Sequence, residues 1–83
     1  MVKQTDIERC ALNILNEFKP YLAPDRQFYT HTSAACVKPI TRGEFDAAIA
    51  ALLAKEPPQI TCIKKDDGNK FAITSAGEAR LCE

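Results

Sequence analysis

The stretch ITCIKKDDGNKFAITSAGEARL, residues 60–81, constrains the fold more than any other part of this chain. Two short runs in it alternate apolar and polar residues, which is typical of half-buried strands. The apolar positions are Ile60 and Cys62 in the first run, and Phe71 and Ile73 in the second. Asp67-Gly68 lies between the runs and is a strong signal for a tight hairpin turn. The sequence therefore predicts a β-hairpin that exposes lysines near its tip.

Capping boxes, in which Ser or Thr is followed three residues later by Glu, indicate the starts of three helices. The pairs are Thr5 with Glu8, Thr41 with Glu44, and Ser75 with Glu78. They predict a first helix at 6–18, a third helix between Thr41 and Pro57, and a short last helix that ends at Leu81. Apolar residues at helical spacing predict the buried face of the third helix. They are Phe45, Ala48, Ile49, Leu52 and Leu53.

The segment between the first and third helices is the least regular. Residues 27–30, QFYT, have strand-favouring side chains and predict a short edge strand. Residues 31–37, HTSAACV, predict a weak short helix. We expect it to end there because Pro39 forces the chain into an extended turn.

Length and net charge limit the classes of protein to which this chain can belong. The 83 residues predict one domain spanning 1–83. Lys plus Arg and Asp plus Glu number 11 each, so the net charge is zero. Dedicated nucleic-acid binders usually have a basic excess. Neutrality still allows binding if the charges are segregated on one face.

The cysteines Cys10, Cys36, Cys62 and Cys82 contain no C-x-x-C pair, and His31 has no partner at ligand spacing. We therefore expect no metal site. The N-terminus MVKQTDIERC lacks the apolar stretch of a secretion signal, and no run is long enough to span a membrane. This predicts a cytoplasmic protein with reduced thiols, the first three of which act as small core residues.

Catalytic signals are weak. His31 beside Thr30 and Thr32 is the one candidate, and such a histidine is more typical of a cap or a surface residue. The sequence has neither a Gly-rich phosphate loop nor a dinucleotide fingerprint. We expect neither a cofactor nor enzymatic activity.

The order of elements resembles the winged helix-turn-helix domain of MarR-like and PadR-like bacterial regulators. Residues 40–56 stand where that family has its recognition helix, and residues 63–73 are similar to its wing. Residues 73–81, ITSAGEARL, are similar to the family's hydrophobic-Thr-x-x-Gly-x-x-x-Leu segment. The resemblance implies an α+β fold with a three-helix core, a β-hairpin wing and a short C-terminal helix. Pro57-Pro58 departs from the usual glycine-hydrophobic link before the wing.

The resemblance also implies binding to double-stranded DNA in transcription regulation. The candidate contacts are Lys38, Thr41, Arg42, Lys64, Lys65, Asn69 and Lys70, with His31 as a further phosphate contact. An alternative is that the hairpin lysines form only a solvated face, because Asp66 and Asp67 cancel most of their charge.

The outer face of the third helix favours a different function. At 100° per residue it presents Gly43, Ala47, Ala50, Ala51 and Ala54. These side chains can neither donate nor accept the hydrogen bonds that read base edges. A smooth strip of small residues is instead suited to docking a protein partner or a second copy of the chain. Alternatively, alanine fills an idle face because it is the best helix former.

Overall fold

The computed structural model describes residues 3–82, so both ends of the predicted 1–83 domain lie outside the described residues. The elements are α1 (Gln4–Phe18), β1 (Ala23–Pro24), α2 (Asp25–Ala35), α3 (Arg42–Ala54), β2 (Ile60–Lys65), β3 (Gly68–Ile73) and α4 (Ser75–Leu81). The three strands form one antiparallel sheet of order β1-β3-β2. Four helices and this sheet confirm the predicted α+β class. No helix within residues 3–82 combines the length and apolar character needed to cross a membrane.

The core is a cluster of buried apolar side chains to which α1, α2, α3 and the sheet all contribute. Phe28 of α2 lies at its centre and is fully buried. Its ring centroid is 5.0 Å from that of Phe45 on α3 and 5.2 Å from that of Phe71 on β3. These are favourable aromatic separations. Phe28 therefore joins the helices to the sheet.

Helix α1 begins at Gln4, and its N-cap Lys3 makes no side-chain capping bond. The predicted Thr5–Glu8 capping box is therefore wrong. Glu8 is only 2% exposed and accepts hydrogen bonds from Arg80 at 2.9 Å and Gln4 at 3.1 Å. A carboxylate held this way in the interior cannot reach back to cap the helix. Ile7, Ala11, Ile14 and Leu15, which recur at helical spacing, are buried and form the apolar face of α1.

The segment that follows α1 differs most from prediction. The strand lies at Ala23–Pro24 and not at residues 27–30, which belong to α2. Helix α2 spans Asp25–Ala35, so the predicted helix at 31–37 is correct only in its first part. Phe28 and Thr32, four residues apart, form the buried face of α2. Burial on this helical face outweighs the strand propensity of Phe28 and Tyr29.

The start of helix α3 agrees with the sequence-based prediction. The Thr41 hydroxyl accepts from the Glu44 N–H at 3.1 Å, and the Glu44 carboxylate accepts from the Thr41 N–H at 2.9 Å. This confirms the predicted capping box. Burial of Phe45, Ala48, Ile49 and Leu52 confirms the helix phase. Leu53 was wrongly assigned to the core, because it is 38% exposed.

The predicted hairpin is confirmed. Lys65 pairs with Gly68, which leaves Asp66 and Asp67 as the two-residue tip. Gly68 has φ of 118°, a conformation that glycine adopts at little cost.

Helix α4 begins one residue earlier in its capping pattern than predicted. Thr74 is the N-cap and accepts a hydrogen bond from the Gly77 N–H at 3.3 Å. The predicted Ser75–Glu78 box is therefore wrong. Glu78 instead forms an ion pair with Lys19, just beyond the end of α1.

Candidate functional site

The tip of the β2–β3 hairpin and the first turn of α2 enclose an open groove of about 410 Å³. Strand β1 positions the two sides, because Pro24 pairs with Lys70 of the hairpin and Asp25 begins α2 directly afterwards. The groove is lined by Pro24, Asp25, Arg26, Asp67, Gly68, Asn69 and Lys70. Two of the predicted DNA contacts, Asn69 and Lys70, thus lie together here.

The hairpin candidates fall on two faces of the sheet. Lys64 lies opposite Asn69 in the register. Both are on the same face of the sheet as the pair Cys62 and Phe71, which lies closer to the core. Lys65 and Lys70 lie on the other face, because side chains alternate along a strand. Lys64 and Lys65 are exposed and form no ion pair with any residue from 3 to 82. The hairpin therefore presents one unpaired ammonium group on each face.

Lys70 is less available than its hairpin neighbours. Its Nζ lies 3.2 Å from Asp67 Oδ2, and its side chain is only 18% exposed. A hydrogen bond from Lys70, its charge and, more weakly, the charge of Lys65 lower the pKa of the Asp67 carboxyl. Asp67 therefore stays ionised and offsets part of the positive charge on this face of the tip.

Arg42 is held by the fold and is not a free cation. Its Nη2 donates to both Asp25 oxygens at 2.7 and 2.8 Å, and its Nε donates to Asp46 at 3.0 Å. Its guanidinium carbon lies 5.3 Å from the ring centroids of both Tyr29 and Phe45. The Asp25 hydrogen bond is the largest cause that raises the pKa of Arg42. Arg42 links α3 to the start of α2. Most of its N–H donors are already bound to carboxylates and are not available to a phosphate.

The remaining predicted contacts lie elsewhere or are already engaged. The Thr41 hydroxyl caps α3. Lys38 is exposed in the turn between α2 and α3 and lines a different cavity. His31 packs edge-on against Phe18, with ring centroids 5.6 Å apart, near the end of α1. The structure does not bring these three residues into the hairpin groove.

The outer face of α3 is as smooth as its sequence indicates. Gly43, Ala47, Ala50 and Ala54 are exposed, and Ala51 is half-buried. Asp46 flanks this strip, is exposed and pairs with Arg42. Leu53 adds exposed apolar surface near its end. The face thus offers no hydrogen-bond donor aimed at base edges.

Arg26 is a groove residue that sequence reasoning missed. It is exposed on the first turn of α2, and no ion pair joins it to another residue in the described part of the chain. Placing residues 27–30 in a strand concealed its position, because the groove exists only when α2 begins at Asp25. Pro24-Asp25, a proline followed by a helix-favouring N-terminal acid, is the signal that could have located that start.

No protein-family model, curated protein or solved structure matches this chain. Assignment of a function therefore depends on the fold and on the geometry of these side chains.

Proposed function

We propose that the chain is a winged-helix domain that binds double-stranded DNA through its phosphate backbone, as part of transcription regulation. The element order and the sheet order β1-β3-β2 support this assignment, with the β2–β3 hairpin as the wing. The observation that favours it most is the groove that brings Asn69 of the wing beside Arg26 of α2, with the unpaired Lys64 and Lys65 on the neighbouring strand of the same hairpin tip.

Electrostatics explain how such a site works. Ammonium and guanidinium groups near phosphates release condensed counterions, which gives sequence-independent affinity. The wing tip and the first turn of α2 present three cations without ion-pair partners in residues 3–82, namely Arg26, Lys64 and Lys65. Asn69 adds a neutral amide donor on the same face as Lys64. Lys38, on the α2–α3 turn, extends the basic surface if the duplex also follows that turn.

This arrangement favours weak binding with little base selectivity. Direct readout in the major groove needs side chains that donate or accept hydrogen bonds. Arg42 is held by two carboxylates, and the outer face of α3 carries mainly Gly and Ala. The proposed complex therefore reads the shape and charge of the duplex more than its sequence.

The test is a fluorescence-anisotropy titration of mixed-sequence duplex DNA with the full chain at several salt concentrations. Three to five phosphate contacts should give a log–log salt slope of about −2.7 to −4.5. Replacing Lys64 and Lys65 with glutamate should abolish binding without loss of helical circular dichroism. A matched control is the pair Lys3→Glu and Arg9→Glu, which makes the same charge change at the exposed N-cap of α1 and at an exposed position within the helix. The proposal fails if both double variants weaken binding equally or if binding ignores salt.

A second candidate is a homodimer formed through the outer face of α3. Two observations favour it: the strip is free of unpaired polar side chains among the described residues, and Leu53 is exposed beside it. Small side chains allow two helices to approach closely, so a second copy of the same strip is a complementary partner. Alanine's helix propensity alone also accounts for the strip.

One double variant separates the two candidates. Ala47→Arg with Ala50→Arg places two long charged side chains on a face that is exposed in the free chain. If the strip forms a dimer, the solution mass from light scattering should fall to that of a monomer. If the face lies near DNA, added positive charge should tighten binding. An unchanged mass and unchanged DNA affinity would leave the wing as the functional surface.

We also propose that the protein is located in the cytoplasm. All four cysteines are free thiols, which is the usual state in a reducing compartment.

A further inference from the structure

Cys10 and Cys36 meet at a cavity on the side of the molecule formed by α1 and the end of α2. The open cavity has a volume of about 340 Å³ and is lined by Lys3, Asp6, Cys10, Ala35, Cys36, Val37 and Lys38. Both cysteines are half-buried and both are free thiols. The other two, Cys62 and Cys82, do not line this cavity. The pair is therefore set apart from the remaining thiols and is reachable by a small molecule.

Backbone geometry places the two cysteines close together. The Cys10 thiol donates to the carbonyl oxygen of Ala35 at a distance of 3.9 Å. The Ala35 carbonyl carbon is bonded to the backbone nitrogen of Cys36, so the Cys10 sulfur lies beside the start of that residue. Burial, and secondarily a hydrogen bond and charge interaction with Cys10, raise the pKa of Cys36 to about 11. Each thiol is thus part of the other's immediate surroundings.

The position of Cys36 allows its sulfur to adjust. Cys36 follows the last residue of α2 and has extended backbone angles, φ of −77° and ψ of 156°. Its N–H bonds back to Thr32 and Ser33, while the chain beyond it runs as an irregular turn to the Thr41 cap. A disulfide requires specific distances and torsions, and a residue at a helix end can meet them with small backbone shifts.

We propose that Cys10 and Cys36 form an intramolecular disulfide on reaction with a low-molecular-weight disulfide such as oxidised glutathione. Cys10 loses its proton to solvent, and its sulfur bonds to one glutathione sulfur while the other glutathione leaves as a thiolate. The Cys36 sulfur, once deprotonated, then attacks the Cys10 sulfur and expels the second glutathione thiolate. Two protein thiols are oxidised, and one glutathione disulfide is reduced to two thiols.

The order of attack follows from the surroundings of Cys36. Because its pKa is raised, Cys36 is mostly protonated near neutral pH and is the slower nucleophile at the start. In the proposed order, Cys10, whose thiol lies at the open cavity beside the Ala35 carbonyl, first forms the mixed disulfide and Cys36 resolves it. The finished bond ties the end of α2 to α1 and restrains the turn at 36–41 that leads into α3.

The experiment equilibrates the reduced full chain in reduced and oxidised glutathione, followed by acid quenching and peptide mapping. We expect one internal link between the peptides containing Cys10 and Cys36, and a melting temperature higher by on the order of 10 °C. The double variant Cys62→Ser, Cys82→Ser should form the same link. Cys10→Ser should form none, and its Cys36 should stay reduced or carry only glutathione.

Three results would overturn the proposal. They are lasting glutathione adducts on Cys10 or Cys36 without a link between them, cross-linked dimers as the main product, and a lower melting temperature after oxidation. If the serine variants do not fold, the peptide map of the unaltered chain still decides, because it identifies the linked residues directly. The experiment measures a covalent link between peptides and a melting temperature, and neither depends on whether the chain binds DNA.

Discussion

Gly77 in α4 is a position where one added methyl group should destabilise the fold. A Cβ built there would lie 2.2 Å from the carbonyl oxygen of Gln59, 2.7 Å from Ile73 Cγ1 and 3.1 Å from Leu12 Cδ2. The two side-chain atoms can move by rotation. The Gln59 carbonyl is backbone and accepts the Thr74 N–H at 3.1 Å, while the Gln59 N–H donates to Leu52 at 3.2 Å. Gln59 is therefore fixed from both sides.

The magnitude of the effect follows from these contacts. Carbon–oxygen contacts of about 3.3–3.6 Å are ordinary, so α4 and Gln59 must separate by roughly 1 Å. Overpacking of this kind costs about 1–3 kcal/mol. Loss of the Thr74–Gln59 hydrogen bond adds about 0.5–1.5 kcal/mol. The better helix propensity of alanine offsets up to about 1 kcal/mol of this loss of stability. The net expectation for Gly77→Ala is a loss of about 2 kcal/mol from a total of about 4–12 kcal/mol.

Urea unfolding followed by far-ultraviolet circular dichroism measures this loss. Gly43→Ala is the matched control, because its nearest neighbour would be Thr41 Oγ1 at 3.9 Å. That variant should be more stable than the unaltered chain by a few tenths to about 1 kcal/mol. If Gly77→Ala unfolds at the same urea concentration as Gly43→Ala, the close approach of α4 to Gln59 is wrong. The same contact gives a physical reason for glycine three residues after Thr74.

Three further perturbations test other parts of the fold. Leu52→Ala should cost about 2–5 kcal/mol in urea unfolding, because Leu52 is fully buried on α3. Arg80→Ala should cost about 3 kcal/mol, since it leaves the buried Glu8 carboxylate with only Gln4 and the more distant Lys55, whose Nζ is 3.9 Å away; a wild-type melting curve would exclude that role. Because the pKa of Cys36 rises from 9.0 to about 11 on folding, its stabilising effect is complete below pH 9 and is lost as the pH approaches 11. Cys36→Ala should therefore lose less stability than the unaltered chain over that range.

The capping boxes illustrate what local sequence can and cannot predict. The Thr41 box is correct because both partners lie within one turn and no distant group competes for them. The Thr5 box fails because Glu8 binds Arg80, 72 residues further along the chain. The Ser75 box fails because Thr74, the residue before it, is also a favourable capping residue and takes the N-cap position. Local patterns thus locate a helix well and its first residue less well.

The candidate site shows the same division between local and distant effects. Alternation and the Asp-Gly turn were enough to predict the exposed hairpin lysines, because strand geometry is set by neighbours. The engagement of Arg42 was not predictable from α3 alone, since its main partner, Asp25, lies 17 residues away on α2. Arg26 was missed for a related reason, because its place depends on where α2 begins. Both depend on tertiary contacts that periodicity does not encode.

The distribution of ion pairs changes the meaning of zero net charge. Five of the basic residues pair with carboxylates within the described chain: Lys19, Arg42, Lys55, Lys70 and Arg80. Four of these residues join elements that are distant in sequence, such as α4 to α1 and α3 to α2, whereas Lys70 pairs with Asp67 in the same hairpin. The hairpin residues Lys64 and Lys65 take no part in them. Zero net charge is therefore compatible with unpaired positive groups on the hairpin, which a phosphate backbone could neutralise. Reversing the charge of a paired residue such as Arg80 should lower stability, whereas reversing Lys64 should leave stability within about 0.5 kcal/mol and alter only binding.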